Sequence, residues 1–565
     1  MIILGISFLS DASAVVLRDG RLVAAIAEER LNRVKQWNGV PHGAVAKVLA
    51  MAGITLDQVD VVATHGAAPP APPAEPYREK EQAIRAAGLP ADLAESQLKR
   101  LAEREGHERR VLAERTPGYL AEVRALGRPV DVHGHHESHA ATALIGRGAG
   151  DGWIVTLDGW GEDGSGTVWK TDGASMTRIA FSNTFDSLGY FYGSVTRALG
   201  FIPHRHEGKV LGLAAYCQQP QSLRELRSMI DYDPGRFRFL GRMERGLYVP
   251  RMENPLLAAL VARLPREDIA AGTQQSLEQV VAELIDDFGA GAHKVMVAGG
   301  VFANVKLNQR IAERPNVADV YVFPNMGDGG LAAGAAWLSH LQRVGTTPQR
   351  FETALLGPAP TEDEVLRELG SSGLAYTRPA DMEDRVAELL ASSQVVARCA
   401  GAMEYGPRAL GNRSILYHAS DPGVNDWLNR RLKRSEFMPF APATLAEAAA
   451  ERYIGLDKAR ETAKFMATTF ACTATMREEA PAAVHVDGTA RPQVVDPVSY
   501  PAFHRILTFY RRRTGRASVI NTSFNMHEEP IVCTAADAMR AFRASDLPYL
   551  VLGDYLVSSP SAGGN

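Results

Sequence analysis

"GWIVTLDGWGEDGSGTVWK" (residues 152–170) reads as a buried strand running up to Asp158, a glycine-rich turn, and a returning strand. The N-terminus has the same grammar. "MIILGIS" is followed by "FLSDAS" and then by "AVVLRDGRLVAAIAEE", in which Asp19-Gly20 is a two-residue hairpin turn. Two such units, each with an aspartate at the mouth of a hairpin, predict an internally duplicated α/β fold. Glycine-rich hairpins of this kind can wrap a phosphate with backbone N–H groups. A third element, "HKVMVAGGVFANVKLNQRI" (293–311), predicts a buried strand, a Gly299-Gly300 turn and a helix. The strand "VYVFP" follows, and then the turn "NMGDGG" opens the small-residue helix "LAAGAAWLSHL".

Between the two hairpin units lies an insert, residues 67–130. It begins with the stiff, Pro-rich stretch "AAPPAPPAEP" (67–76) and continues through charged, helix-patterned sequence over 78–125. The expectation is a cap laid over the first lobe, where substrate selectivity would reside. Composition shifts again at 343–362, "RVGTTPQRFETALLGPAPTE", which reads as an interdomain linker. The domains are therefore expected at 1–355 and 356–565, the second a separate α/β unit rich in arginine motifs. A chain of 565 residues is long enough for two to four domains.

With 45% hydrophobic and 22% charged residues, the composition is that of a globular protein. A formal net charge of −4 gives no reason to expect nucleic acid as a partner. Cys217, Cys399, Cys472 and Cys533 form no CxxC pair, which argues against a structural zinc or disulfide framework. The apolar N-terminus lacks a basic start and carries Asp11, unlike a signal peptide. No apolar run reaches membrane-spanning length, so neither membrane nor export is expected and a cytoplasmic location is.

The stretch "HGHHESHAATAL" (133–144) holds four histidines in seven positions. On a helix stopping near Gly146, His135 and His139 share one face and make a two-point metal clamp. Alone, the pair reads more simply as polar capping of a helix start. Asp158 and Asp328, both on glycine-rich turns, shift the balance. Two imidazoles and two carboxylates suit Fe, Mn or Zn. In the second unit Arg408, Arg413, Lys433 and Arg491 sit in turn-like contexts that suit binding of a small phosphate or carboxylate. "NTSFN" adds Ser523 and Asn525 just after an apolar strand.

Nine motifs, "HHESHA", "VTLDGWGE", "SLGYFYGSVT", "EGKVLGLAAY", "AGGVFAN", "GPRALGNRS", "PFAPA", "RPQVV" and "NTSFN", run through nearly the whole chain. Their order resembles that of the O-carbamoyltransferases of nodulation-factor, cephem and aminoglycoside pathways. The resemblance implies an N-terminal duplicated actin/hexokinase-like (ribonuclease H-like) domain and a C-terminal YrdC-like domain. It implies that the C-terminal domain makes carbamoyladenylate from carbamoyl phosphate and Mg-ATP. The N-terminal domain then passes the carbamoyl group to a hydroxyl of a small-molecule alcohol, of secondary-metabolite type. His135, His139, Asp158 and Asp328 match metal ligands, for Fe(II) or another divalent ion, with His136 as a supporting residue or spacer. Gly189, Gly299, Gly300 and Asn304 match nucleotide contacts, where glycine lets backbone approach ligand closely. Lys209 lies in the matching Gly-Lys turn. Arg408, Lys433, Arg491, Ser523 and Asn525 match the positions that hold carbamoyl phosphate, and Lys35 matches a lysine near the acceptor. A homodimer is the assembly considered.

Two departures stand out. Relatives read "HDASA" or "HDSA" where this chain reads "SDASA", so the position of their proposed general base is Ser10. Serine does not usefully accept a proton near neutral pH. The replacements to weigh are Asp11, His204 and His206; a general base contributes typically about 10²–10⁴-fold, so its loss need not be fatal. Some relatives also carry arginine before "PFAP", where this chain has Met438. One charge-assisted contact of roughly 1.5–3 kcal/mol is then missing. The rival readings are a tRNA threonylcarbamoyl-type or hydrogenase-maturation enzyme, a sugar kinase, and a non-catalytic nucleotide-binding partner. Net acidity argues against tRNA and the missing CxxC against the hydrogenase type. A kinase leaves the arginine-rich second unit unexplained.

Overall fold

The structure, a computed structural model, describes residues 1–67, 74–161, 164–245, 253–433 and 437–560. Most of the Pro-rich stretch, residues 68–73, lies outside them. The first five strands are β1 (Ile2–Ser7), β2 (Ser13–Arg18), β3 (Arg21–Ala27), β4 (Val61–His65) and β5 (Val130–His133). Next come β6 (Gly152–Leu157), β7 (Gly166–Asp172), β8 (Ser175–Ser182), and a short hairpin of β9 (Ile230–Asp233) and β10 (Arg238–Gly241). Two more, β11 (His293–Ala298) and β12 (Val317–Val322), complete the N-terminal part. The sheet orders are β3-β2-β1-β4-β5 and β8-β7-β6-β11-β12. Numbered within each half, both read 3-2-1-4-5, with strands 1, 4 and 5 parallel. The expected duplication is therefore present in the topology itself. Asp19 (φ 48°) and Gly20 (φ 79°) both adopt the left-handed backbone that a tight hairpin turn requires.

By contacts the chain divides into two compact units, one of residues 1–7 and 59–350, the other of residues 8–58 and 351–565. In the first, the helix His135–Arg147 is buried on almost every side. It packs on the helix Leu331–Val344, where a Cβ on Gly334 would lie 2.0 Å from the Ser138 carbonyl oxygen. The helix passes through Gly146 and stops at Gly148 (φ 91°), one turn-forming glycine later than expected.

The insert forms helices Ala74–Ala86, Ala91–Arg110 and Thr116–Arg124. Contrary to expectation they pack on elements of the second half of the duplication. Tyr77, Ile84 and Leu101 share a core with Phe185 and Met243. Lys80 Nζ donates to Asp186 Oδ1 (2.7 Å) and to the Gly241 carbonyl (2.7 Å). A buried lysine must sit where its counter-ion is, and that is Asp186, after β8.

The second unit holds β13 (Ala375–Thr377), β14 (Val396–Cys399), β15 (Arg413–His418), β16 (Ala441–Leu445), β17 (Tyr453–Ile454) and β18 (Phe470–Cys472). It continues with β19 (Thr489–Ala490), β20 (Gln493–Val495), β21 (Ser518–Ser523), β22 (Tyr549–Leu552) and β23 (Tyr555–Ser558). Eight of these form one mixed sheet, β13-β23-β22-β14-β15-β21-β16-β20, and β17-β18-β19 form a small second one. The expected linker at 343–362 is in part bonded into this unit: Tyr405 N donates to Ala354 O and Gly357 N to Met403 O. All four cysteines are free thiols. No helix among the described residues is long and apolar enough to cross a membrane.

Candidate functional site

Parallel strands β6, β11 and β12 end at one edge of their sheet, and the site is built from the turns just beyond those strand ends. Asp158 comes directly after β6, Gly299 and Gly300 directly after β11, and Asp328 in the turn after β12. His135 and His139 face them from the first turns of their helix, which opens at Gly134, whose N–H donates to Glu137 Oε2 (3.3 Å). One donor atom from each of His135, His139, Asp158 and Asp328 lies within 4.8 Å of the other three. His139 Nε2 is 3.1 Å from Asp158 Oδ2, and both imidazole Nε2 atoms are 3.7 Å from Asp328 Oδ1. Donors at about 2.0–2.2 Å from one ion would be separated by distances of this size, and the mixed imidazole–carboxylate set suits a divalent transition metal. The four residues fit a metal.

Burial alone would raise the Asp158 carboxyl, but the His135 and His139 imidazoles beside it outweigh burial and hold it well below the usual carboxylate range. Asp158 Oδ1 also accepts from Gly159 N (2.6 Å) and Oδ2 from Gly300 N (3.1 Å). Burial, helped by the two neighbouring imidazoles, pushes His136 down to about 3, so its ring is neutral. It stays outside the cluster, with Nδ1 2.9 Å from Thr156 Oγ1.

Two of the glycines are also required by packing. A Cβ on Gly299 (φ 104°) would stand 2.1 Å from Leu157 O, and one on Gly189 would stand 2.8 Å from Gly159 Cα. They let three turns close on Asp158. Asn304 caps the helix Val305–Ala312 through Oδ1 to Leu307 N, and its Nδ2 donates to Gln274 Oε1 (2.8 Å). Gln274, which also accepts from Tyr192 OH, was not anticipated; a lone glutamine in the long helix Arg266–Asp286 carries no signal in sequence. Ser187 Oγ, bonded to the Asp158 and Gly159 carbonyls, was missed too, although a serine before Leu-Gly is a recognisable helix cap. Lys209 lies not in a turn but buried in the helix Glu207–Ala214.

The proposed bases separate by position. His204 takes a left-handed backbone (φ 67°), with its N–H donating to Glu207 Oε1, and its ring stands edge-on to Tyr190. Tyr190 and His204 are the side chains that a Cβ on Gly159 would meet first, at 3.3 and 3.7 Å. His206 Nδ1 accepts from Ile202 N within its own loop. Ser10 is exposed, while Asp11 (φ 58°) and Lys35 are half-buried, all three in the second unit.

Strand register gathers the anion-binding candidates at one sheet edge. Ser414, at the start of β15, pairs with Ser523 at the end of antiparallel β21. Ala441, opening β16, pairs with Asn521, and β20 runs parallel to β16. Arg408 in the loop before β15, Met438 before β16, Arg491 before β20, and Ser523 and Asn525 at the end of β21 therefore share that edge. Lys433, exposed at φ 57°, follows Leu432, whose carbonyl accepts from His527 N. Arg413 does not belong with them. Its fully buried guanidinium donates to the carbonyls of Gly401, Asn412 and Pro358, so it holds backbone rather than ligand.

The family model "Carbamoyltransferase N-terminus" matches residues 2–337 and "Carbamoyltransferase C-terminus" matches residues 387–559. Nodulation protein NolNO of Sinorhizobium fredii is 31% identical over 98% of this chain and 80% of its own length. Nodulation protein NolO of Bradyrhizobium diazoefficiens is 31% identical over 75% of this chain and 78% of its own. Among solved structures, HypF from T. kodakarensis matches 61% of this chain and 48% of its own at 13% identity (TM-score 0.34). A ROK hexokinase from Thermus thermophilus matches 60% of this chain and 99% of its own at 14% identity (TM-score 0.27).

Proposed function

Since the chain belongs to the carbamoyltransferase family, we propose that it is an ATP- and carbamoyl-phosphate-dependent O-carbamoyltransferase acting on a small-molecule alcohol. The observation that carries this reading is the match of both family models, in order, on one chain. The C-terminal segment is read as the adenylating part. Carbamoyl phosphate, ATP and water give carbamoyladenylate, phosphate and pyrophosphate. The N-terminal segment is read as the transfer part, where an alcohol oxygen attacks the carbamoyl carbon and AMP leaves. Carbamate is a poor electrophile, and adenylation supplies its leaving group.

In this reading Arg408, Arg491, Ser523 and Asn525, which share one sheet edge, bind carbamoyl phosphate together with Lys433. Met438 leaves that edge one cation short. His135, His139, Asp158 and Asp328 would hold a divalent metal, Fe(II) by resemblance, and such an ion would supply positive charge to offset the charge that develops as AMP leaves. Gly299, Gly300 and Asn304 line the nucleotide with backbone and amide groups. In this reading His204, beside the Gly159 turn, takes the proton from the alcohol, a task Ser10 cannot perform.

The identity of the nucleotide product tests the reading. With ATP, carbamoyl phosphate and a panel of alcohols, the account expects AMP, and label from [¹⁴C]carbamoyl phosphate in a carbamate ester. ADP together with a phosphorylated alcohol would instead establish a kinase.

A further inference from the structure

The loop that carries Arg408 is shaped from beneath by one carboxylate. Glu404 is 5% exposed, and its Oε1 accepts three backbone N–H groups, from Leu410 (2.8 Å), Asn412 (2.8 Å) and Arg413 (3.1 Å). The fourth N–H in the run, Gly411, goes to Ser414 Oγ (2.9 Å). The outward carbonyls are taken by side chains as well. Asn521 donates to Ala409 O, Gln493 to Leu410 O, and Arg398 to Gly411 O. Buried side chains, rather than a ladder of strand or helix bonds, set the shape of the loop before β15, with Glu404 at the hub. Its other oxygen, Oε2, is buried and has no hydrogen-bond partner. Two buried guanidiniums, Arg398 and Arg413, lie in the same packing, and Glu404 is the strongest of the groups opposing the burial that pushes Arg398 down to about 10. Arg408 stands two residues before the first tied N–H, at the edge shared with Ser523 and Arg491.

We infer that Glu404 is a positioning residue for the anion site: it holds the 404–413 loop ready-formed, so that Arg408 meets carbamoyl phosphate without first being ordered. This rests on the reading that the edge binds carbamoyl phosphate. A preformed loop saves the ordering cost at binding, and a charged acceptor bonds N–H groups roughly twice as strongly as a neutral one. Glu404→Gln keeps one oxygen for the three donors but loses the charge and buries an amide without an acceptor. Glu404→Ala orphans all three donors and risks the fold, so the glutamine variant decides.

The assay is pyrophosphate release from ATP without acceptor, as a function of carbamoyl phosphate. The expected result for Glu404→Gln is a KM for carbamoyl phosphate raised about 10–100-fold, with kcat and the KM for ATP changed less than about threefold. An unchanged KM, whatever happens to thermal stability, would leave Glu404 with a merely structural role and overturn the inference. Amide exchange of 406–413 in the unmutated protein gives an independent reading. Protection already present without carbamoyl phosphate is expected, and protection arising only on its addition would contradict a preformed loop. If the unmutated protein shows no dependence on carbamoyl phosphate, the functional reading fails, and that outcome is distinct from an unaltered variant.

Discussion

Replacing His139 by alanine is expected to strip the four-residue cluster of its metal and to slow carbamoyl transfer by about 10³-fold, roughly 4 kcal/mol of barrier. His139 has no exposed side-chain surface, and its Nε2 faces both Asp158 and Asp328. Alanine leaves three donors where four converge within 4.8 Å. The effect should be confined to transfer. Acceptor-free pyrophosphate release is expected to stay within about twofold of the unmutated protein, because the proposed division of labour puts adenylation in the C-terminal segment, away from this cluster. Metal content by elemental analysis and transfer to an accepted alcohol are the two readouts. Undiminished transfer by a protein that has lost its metal would remove the metal from the account.

Asp186→Ala is expected to cost about 3–5 kcal/mol of stability, the usual penalty for leaving one partner of a buried ion pair alone. Asp186 is fully buried; it accepts from Lys80 Nζ and Gly241 N, and Arg238 approaches its second oxygen at 3.2 Å. Without it Lys80 keeps, among the described residues, the Gly241 carbonyl. Lys80→Met should cost less, since Arg238 and Gly241 N still satisfy Asp186. Urea denaturation gives the magnitude, and amide exchange over 74–124 shows whether the insert loosens first. Equal losses from the two variants would mean that the pair, rather than the stranded lysine, sets the energetics.

The duplicated fold was legible because its signals are local. A strand ending on aspartate, a glycine turn and a returning strand can be read within about twenty residues, and Asp19-Gly20 announces its own turn. The metal cluster was legible by residue type, since histidines four apart on one helix and aspartates on glycine turns each carry a signal. The illegible parts depend on distant partners. Lys80 and Asp186 are 106 residues apart, so nothing in the insert told which half it would cover. Arg413 sits among turn residues and reads as a ligand arginine, yet its bonds run to Pro358, 55 residues away. Gly299 reads as a phosphate-approach glycine, but its packing against the Leu157 carbonyl, on a strand far away in sequence, carries no local signal.

The measurement that tests the central claim most directly is pyrophosphate release from Mg-ATP, with and without carbamoyl phosphate, in the absence of any alcohol. The account predicts release that depends on carbamoyl phosphate and saturates with it. ATP turnover indifferent to carbamoyl phosphate, or no turnover with Mg²⁺ and Fe(II) supplied, would contradict it.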